Sequence, residues 1–183
     1  MILSGTSIQE QYQRGKININ PFQHGQVTTN SYDLTLGASF LRYTCRVLDP
    51  RKANPYETLS VGDEGLLMKR GDFILGHSRE IIGSDSFVPL IHAKSSIARL
   101  GLFVHVTADL VDIGFHGNIT FQLYATLPVK IYPGMSIAQV TFWRPSGEIE
   151  LYRGKYQGAQ GPCASQIYRD LRPSGLPKLQ QRG

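Results

Sequence analysis

The chain has 183 residues, of which 41% are hydrophobic and 18% charged, a balance that supports one buried core and excludes a largely disordered polymer. Lys and Arg number 19 against 14 Asp and Glu, a formal charge of +5, which points to an anionic partner: nucleic acid, an acidic membrane or a nucleoside triphosphate. Two cysteines, Cys45 and Cys163, exclude a disulfide framework; no apolar run reaches the roughly 20 residues that cross a bilayer, and no secretory leader opens the chain, so the expectation is a cytoplasmic protein with no membrane partner.

The segment Thr6-Ser7-Ile8-Gln9-Glu10 reads as a helix start, a hydroxyl followed three residues later by an amide or acid, with Gly15 as the stop. Helical periodicity then ends. Short apolar, β-branched and aromatic runs follow at 31–36, 40–43, 65–68, 73–76, 87–91, 102–107, 117–124 and 135–143, punctuated by Gly, Pro and Asn. Such spacing predicts an all-β sandwich or barrel behind a short N-terminal helix, and argues against βαβ units. Residues 127–134 add a strand closed by a Pro133-Gly134 turn. From about residue 153 the chain turns rich in Gly, Gln, Ser and Ala, which fits either a flap that orders on a ligand or a surface tail. Residues 172–183 read as a polar, flexible tail.

Several chemistries are excluded by what is missing. A zinc nucleobase deaminase needs a His-x-Glu segment and a Pro-Cys-x-x-Cys segment. Here Pro162-Cys163-Ala164-Ser165-Gln166 supplies half of the second, and none of the five histidines heads the first. There is no Gly-x-x-x-x-Gly-Lys-Ser/Thr loop and no Gly-x-Gly-x-x-Gly fingerprint. The basic residues are scattered rather than clustered with aromatics, which argues against a nucleic-acid partner.

The densest polar constellation is Lys94-Ser95-Ser96-Ile97-Ala98-Arg99-Leu100-Gly101-Leu102. Two cations bracket two hydroxyls, the inventory that a polyphosphate requires. The same residues also suit a solvated helix start with Ser95 or Ser96 as its cap.

That run, followed by His105-Val106-Thr107-Ala108 and by Val111-Asp112-Ile113-Gly114-Phe115-His116-Gly117, closely resembles the dCTP deaminase family, relatives of the trimeric dUTPases. The likeness extends to Ile2-Leu3-Ser4-Gly5, Asn30-Ser31-Tyr32-Asp33-Leu34-Thr35-Leu36-Gly37, Tyr132-Pro133-Gly134-Met135 and Gly154-Lys155-Tyr156-Gln157. It implies one domain over 1–171, a distorted jelly-roll β-barrel of dUTPase type with a C-terminal flap from about 153, and a homotrimer with intersubunit active sites. The implied reaction is hydrolysis of a deoxypyrimidine nucleoside triphosphate, dCTP to dUTP and ammonia without zinc; some family members also release diphosphate to give dUMP.

Carried over by position, Lys94, Ser95, Ser96 and Arg99 would contact the triphosphate. Mg2+ would ride on the phosphate oxygens, with no metal held by the protein alone. Asp112 would sit at the deoxyribose and its nearby water, and Thr120, Phe121 and Gln122 would line the pyrimidine. Tyr152 and Lys155 would reach in from the flap, and Ser95 and Arg99 would join the catalytic cluster.

Two departures from the family pattern stand out. Where relatives carry a catalytic Glu, in a strand reading roughly Ile-Thr-Leu-Glu-Leu, this chain has Ile119-Thr120-Phe121-Gln122-Leu123. An amide cannot carry a proton to and from C4 of cytosine, whereas a carboxylate can. Gln122 therefore fits an engineered Glu-to-Gln trap, a natural relative with another reaction such as diphosphate release through Asp112, or a nucleotide binder without catalysis. The second departure is Ala159, where family flaps place a Gln; Gln160 could serve after a one-residue shift. Among the remaining polar residues, His105 reads as a satisfied core histidine and His92 as a candidate replacement proton carrier. His116 and Asn118 read as turn residues, Asp33 as a loop anchor and Cys163 as an incidental thiol.

Overall fold

Alternating burial organises the computed structural model, which describes residues 1–105 and 107–171. In chain order the elements are α1 (Gly5–Gln13), β1 (Asn18–Asn20), β2 (Tyr32–Thr35), β3 (Ser39–Tyr43), β4 (Tyr56–Ser60), β5 (Leu66–Met68) and β6 (Phe73–Gly83). There follow β7 (Val88–Ala93), the single turn α2 (Ser95–Ala98), β8 (Leu102–Phe103), β9 (His116–Ala125), β10 (Val129–Ile131) and β11 (Ser136–Trp143).

One sheet runs β4-β3-β6-β9-β8, with β1 also paired to β6. A second runs β2-β11-β7, and β10 pairs with β5. All the pairings between these strands are antiparallel. The inward rows of the sheets meet in one core that contains Tyr32, Phe40, Ile74, Phe121, Leu123 and Phe142. This is an all-β arrangement, as the strand pattern predicts, and it agrees with the distorted jelly roll that the resemblance implies.

The differences from the sequence reading have local causes. Ser4, rather than Thr6, caps α1, its side chain accepting from the Ser7 N–H, so the helix starts earlier; Gly15, at φ 66°, closes it. Strands β1 and β4 escape a search for apolar alternation, because each presents a single apolar side chain to the core, Ile19 and the partly buried Leu59. The run expected at 102–107 is a strand only over Leu102–Phe103, and Phe103 is exposed. Conversely, the run expected at 73–76 continues to Gly83. Its second half hides behind polar residues, because the register shifts between His77 and Ile81 and Ser78 and Glu80 turn inward. His116 and Asn118 lie in β9, not in a turn. The expected tail at 172–183 lies outside the described residues.

Glu80 is 1% exposed, and a carboxylate so placed requires donors. It receives them from the Gln26 amide at 2.9 Å and from the Thr35 N–H and hydroxyl at 3.0 and 2.7 Å. The bonds tie β6 of the large sheet to β2 of the small one. Glu80→Ala strands those donors and is expected to cost about 3 kcal/mol, read as a lower urea midpoint.

His77 carries a pH dependence. Burial lowers its pKa, and the hydrogen bond to the Ser78 carbonyl offsets part of that effect. A folded pKa below the unfolded value means that the unfolded chain binds the proton more readily. Stability is therefore complete above the ordinary histidine pKa of 6.5 and falls as pH drops through the folded value. Urea titrations from about pH 7 to about pH 5 should show this loss, with a shallower slope in His77→Gln.

Candidate active site

Strand β9 alternates strictly: Gly117, Ile119, Phe121 and Leu123 face the core, while Asn118, Thr120 and Gln122 are half-buried on the other side. That second face forms one wall of a cleft of about 540 Å3, a volume suited to a small ligand. Tyr43 of β3 and Phe73 and Leu75 of β6 extend the wall, and the 108–115 loop brings Asp112 to it.

The glycine-rich segment closes the opposite side. It runs beside β9 as an irregular extra strand. Gly158 N–H donates to the His116 carbonyl at 2.9 Å, Asn118 N–H to the Ala159 carbonyl at 2.8 Å, and Cys163 N–H to Thr120 Oγ1 at 3.0 Å. Gln157 adds two bonds, accepting from the His116 N–H and donating to the Gly114 carbonyl. Farther out, Ser165 N–H donates to Tyr43 Oη and Gln166 N–H to Tyr156 Oη. The segment expected as a flap is docked along the cleft.

Two glycines make that approach possible. A Cβ on Gly117 would lie 2.8 Å from the Ala159 nitrogen. Gly114 has φ +90°, and a Cβ there would meet Leu151 and the Tyr152 nitrogen at 2.8 Å. The Tyr152 N–H bonds to the Ile113 carbonyl, and its ring packs edge-on against Phe115 at 6.1 Å.

Asn118 joins these parts. Its Nδ2 donates to the Ser78 and Glu80 carbonyls at 2.9 and 3.1 Å, and its Oδ1 accepts from Gly161 N–H at 2.9 Å. These three bonds hold strand, bulge and flap together. Gln122 differs. Its Nε2 donates to the Thr120 carbonyl at 3.2 Å, whereas Oε1 is buried and has no partner among the described residues.

Of the expected site residues, Asp112, Thr120, Gln122 and Tyr152 line the cleft. Phe121 does not, because it occupies the opposite phase of the strand and is completely buried in the core. Gln160 is exposed and points elsewhere; Ala159 faces the cleft instead. Lys155 also stays out of the lining, its ammonium paired with Asp170 and 5.5 Å from the Tyr156 ring centre.

The whole triphosphate set lies apart from the cleft. Ser95, Ser96 and Arg99 are exposed around α2. The N-cap position of α2 belongs to Lys94, with no side-chain capping bond, so neither serine hydroxyl caps the turn. Lys94 is half-buried against Asp33, whose other oxygen is buried without a partner among the described residues.

The remaining titratable candidates are displaced from the chemistry. His92 bonds to Thr141 Oγ1 at 3.1 Å and does not line the cleft of its own chain. His105 is not a satisfied core histidine: its Nδ1 is buried without a partner among the described residues. Burial lowers its pKa, with Asp109 acting upward and His92 downward. Cys163 lines the cleft, and burial raises its pKa, which disfavours the thiolate. No group of three His, Cys, Asp or Glu side chains suited to an ion converges among the described residues.

Sequence reasoning missed Asn118, Tyr43 and Tyr156. Extending the alternation of Thr120 and Gln122 back by two residues would have put Asn118 on the cleft face. Tyr43 and Tyr156 carry no comparable signal, because their role depends on where the flap docks.

The family model described as dCTP deaminase-like matches residues 2–145. A Clostridium beijerinckii protein named "dCTP deaminase, dUMP-forming" is 38% identical over 172 residues, covering 93% of this chain and 99% of the relative. A Leptospira biflexa protein of the same name is 39% identical, with 93% and 98% covered. The crystal structure of a 2'-deoxycytidine 5'-triphosphate deaminase from Agrobacterium tumefaciens superimposes with a TM-score of 0.62 at 20% identity; the match spans 77% of this chain and 47% of that longer one, and shows a shared fold.

The role of Asn118 predicts a local effect. In Asn118→Ala the amides of Gly161 and Cys163 should exchange with solvent faster, about 10-fold or more, while the Tyr152 amide, bonded to Ile113, keeps its protection. Unchanged exchange at Gly161 would show that the flap is held by other contacts.

Proposed function

The chain belongs to the dCTP deaminase-like family, and from that premise we propose that it hydrolyses deoxypyrimidine nucleoside triphosphates, supplied with Mg2+, by releasing diphosphate. The observation that carries this reading is the division of labour in the cleft: Asp112 is the carboxylate in its lining, and Gln122 is an amide.

Deamination requires water to add at C4 of the base and a proton to reach the departing ammonia. Gln122 can hydrogen-bond but does not titrate, so it serves neither transfer. Diphosphate release involves the other end of the nucleotide. Water attacks the α-phosphorus, Asp112 accepts its proton, and the bond from the α-phosphorus to the bridging oxygen breaks, leaving a nucleoside monophosphate and diphosphate. The relatives' names join deamination with monophosphate formation, and Asp112, the carboxylate in the lining of this cleft, suits the second of those steps.

The base would enter between Thr120 and Gln122 on β9 and the flap at Tyr152 and Ala159. The triphosphate would then need Lys94, Ser95, Ser96 and Arg99, which stand outside the cleft of their own chain. A homotrimer in which α2 of one subunit faces the cleft of its neighbour resolves this separation, with Ser95 and Arg99 joining the reacting end of the nucleotide. Exposed Leu100, Phe103 and Leu127 near α2 give such a contact an apolar surface. Lys155 would add a cation from the flap once released from Asp170.

The test is to incubate the protein with Mg2+ and dCTP, dUTP, CTP or UTP and to follow ammonia and diphosphate separately. Diphosphate and monophosphate are expected, with little ammonia. Asp112→Asn should slow diphosphate release by about 10²–10⁴, and Gln122→Glu should raise ammonia release from dCTP by a similar factor. Ammonia formed as fast as diphosphate with Gln122 in place would overturn the proposal, and tight binding without turnover would indicate a nucleotide-binding protein.

A further inference from the structure

We propose that Gln157 is a positioning residue for Asp112, so that the place of this carboxylate depends on the docked glycine-rich segment, an assignment that rests on the hydrolase reading given above. Little holds Asp112 directly. The residue is exposed, and no hydrogen bond among the described residues ends on its carboxylate. Its direction is therefore set by the backbone of the turn that carries it. In that turn the Phe115 N–H donates to the Asp112 carbonyl at 3.1 Å, and the Gly114 N–H to the Ser84 carbonyl at 2.8 Å. The other two bonds come from the 152–157 segment: the Tyr152 N–H donates to the Ile113 carbonyl at 2.8 Å, and Gln157 Nε2 to the Gly114 carbonyl at 2.7 Å. Gly114 is buried, so its carbonyl is costly to leave without a donor.

The side chain at 157 is suited to this place by having both a donor and an acceptor. Along an extended chain the C=O of one residue and the N–H two positions on point to the same side, where a neighbouring strand would pair with them. The Gln157 amide meets such a pair as a peptide would, donating to the Gly114 carbonyl and accepting from the His116 N–H at 2.8 Å. A carboxylate offers acceptors only, and an ammonium or guanidinium donors only. His116 begins β9, whereas Gly114 closes the Asp112 turn. One end of the amide thus fastens the flap to the strand, and the other fastens it to the turn that aims the carboxylate. A base displaced by about 1 Å from its water can lose about 10²-fold in rate, so proton acceptance by Asp112 becomes conditional on the docked flap.

The test is Gln157→Glu, which keeps an acceptor for the His116 N–H and sets an oxygen against the Gly114 carbonyl. The kcat of diphosphate release should fall about 10- to 100-fold, while affinity for a non-hydrolysable α,β-imido analogue of dUTP changes by less than about threefold. Made on top of Asp112→Asn, the same substitution should leave the residual rate within about twofold, because the carboxylate that it displaces is already gone. Backbone amide exchange gives a readout free of activity: in Gln157→Glu the Phe115 N–H should exchange about 10-fold faster while the His116 N–H keeps its protection. The neutral Gln157→Leu should show the same loss of kcat and release the His116 N–H as well. Losses that multiply in the double variant, a kcat preserved in Gln157→Leu, or unchanged exchange at Phe115 would overturn the assignment. Failure of the unmodified protein to release diphosphate from any nucleotide would instead overturn the hydrolase reading, and exchange at Phe115 would still decide whether Gln157 holds the Asp112 turn.

Discussion

The side chain of Asn118 is the joint on which the cleft depends. Its three hydrogen bonds reach the β6 bulge at Ser78 and Glu80 on one side and the flap at Gly161 on the other. Ser78 reinforces the same joint, since its hydroxyl donates to the Glu80 carbonyl and accepts from Ile119 N–H. The register shift in β6 would otherwise leave carbonyls unpaired inside the protein, a costly condition. The amide satisfies them, and because β9 has a period of two, fixing Asn118 also fixes the direction of Thr120 and Gln122. A stabilising device and a functional wall are here the same strand face.

Electrostatics divides the cleft from the groups expected to hold phosphate. The cleft wall is mainly apolar with Asp112 at its edge, whereas Lys94 and Lys155 are each held by a carboxylate, Asp33 and Asp170. These pairings differ in depth. Lys94 and Asp33 are 26% and 14% exposed, so their attraction is weakly screened and Lys94 is held in place. Asp170 is 52% exposed, and an exposed pair of this kind contributes little. A polyanion would displace Asp170 from Lys155 at small cost while leaving Lys94 anchored. Of the two paired lysines, Lys155 is the one that its partner holds more weakly.

Much of this was legible in the chain. The 117–124 run announces β9, and its parity alone separates Thr120 and Gln122 from Phe121. The glycines at 114 and 117, quoted as part of a motif, are explained by the close passage of Leu151, Tyr152 and Ala159. What was not legible depends on long-range pairing. Apart from Gln157, the flap docks through its own backbone groups, which leave no side-chain pattern to read. Nothing in the sequence marks Glu80 as buried, because its donors, Gln26 and Thr35, are at least 45 positions away. The Gln160 expectation failed because counting along the chain does not give direction; the bond between Asn118 N–H and the Ala159 carbonyl is what turns Ala159 inward and Gln160 out.

An amide at position 122 also changes what the site asks of its surroundings. A carboxylate there would lie beside the Thr120 carbonyl, unable to donate to it, and would need cations or N–H groups to offset its desolvation. In the described chain no cation lines the cleft, so that compensation would have to come from Arg99 or another group outside it. Gln122 removes the requirement, since it is neutral and anchors itself to Thr120. Arg99, exposed around α2, is then not called on to balance a charge at position 122. The exchange of one oxygen for one nitrogen thus removes from this face of β9 both a titratable group and the charge that its surroundings would have to offset.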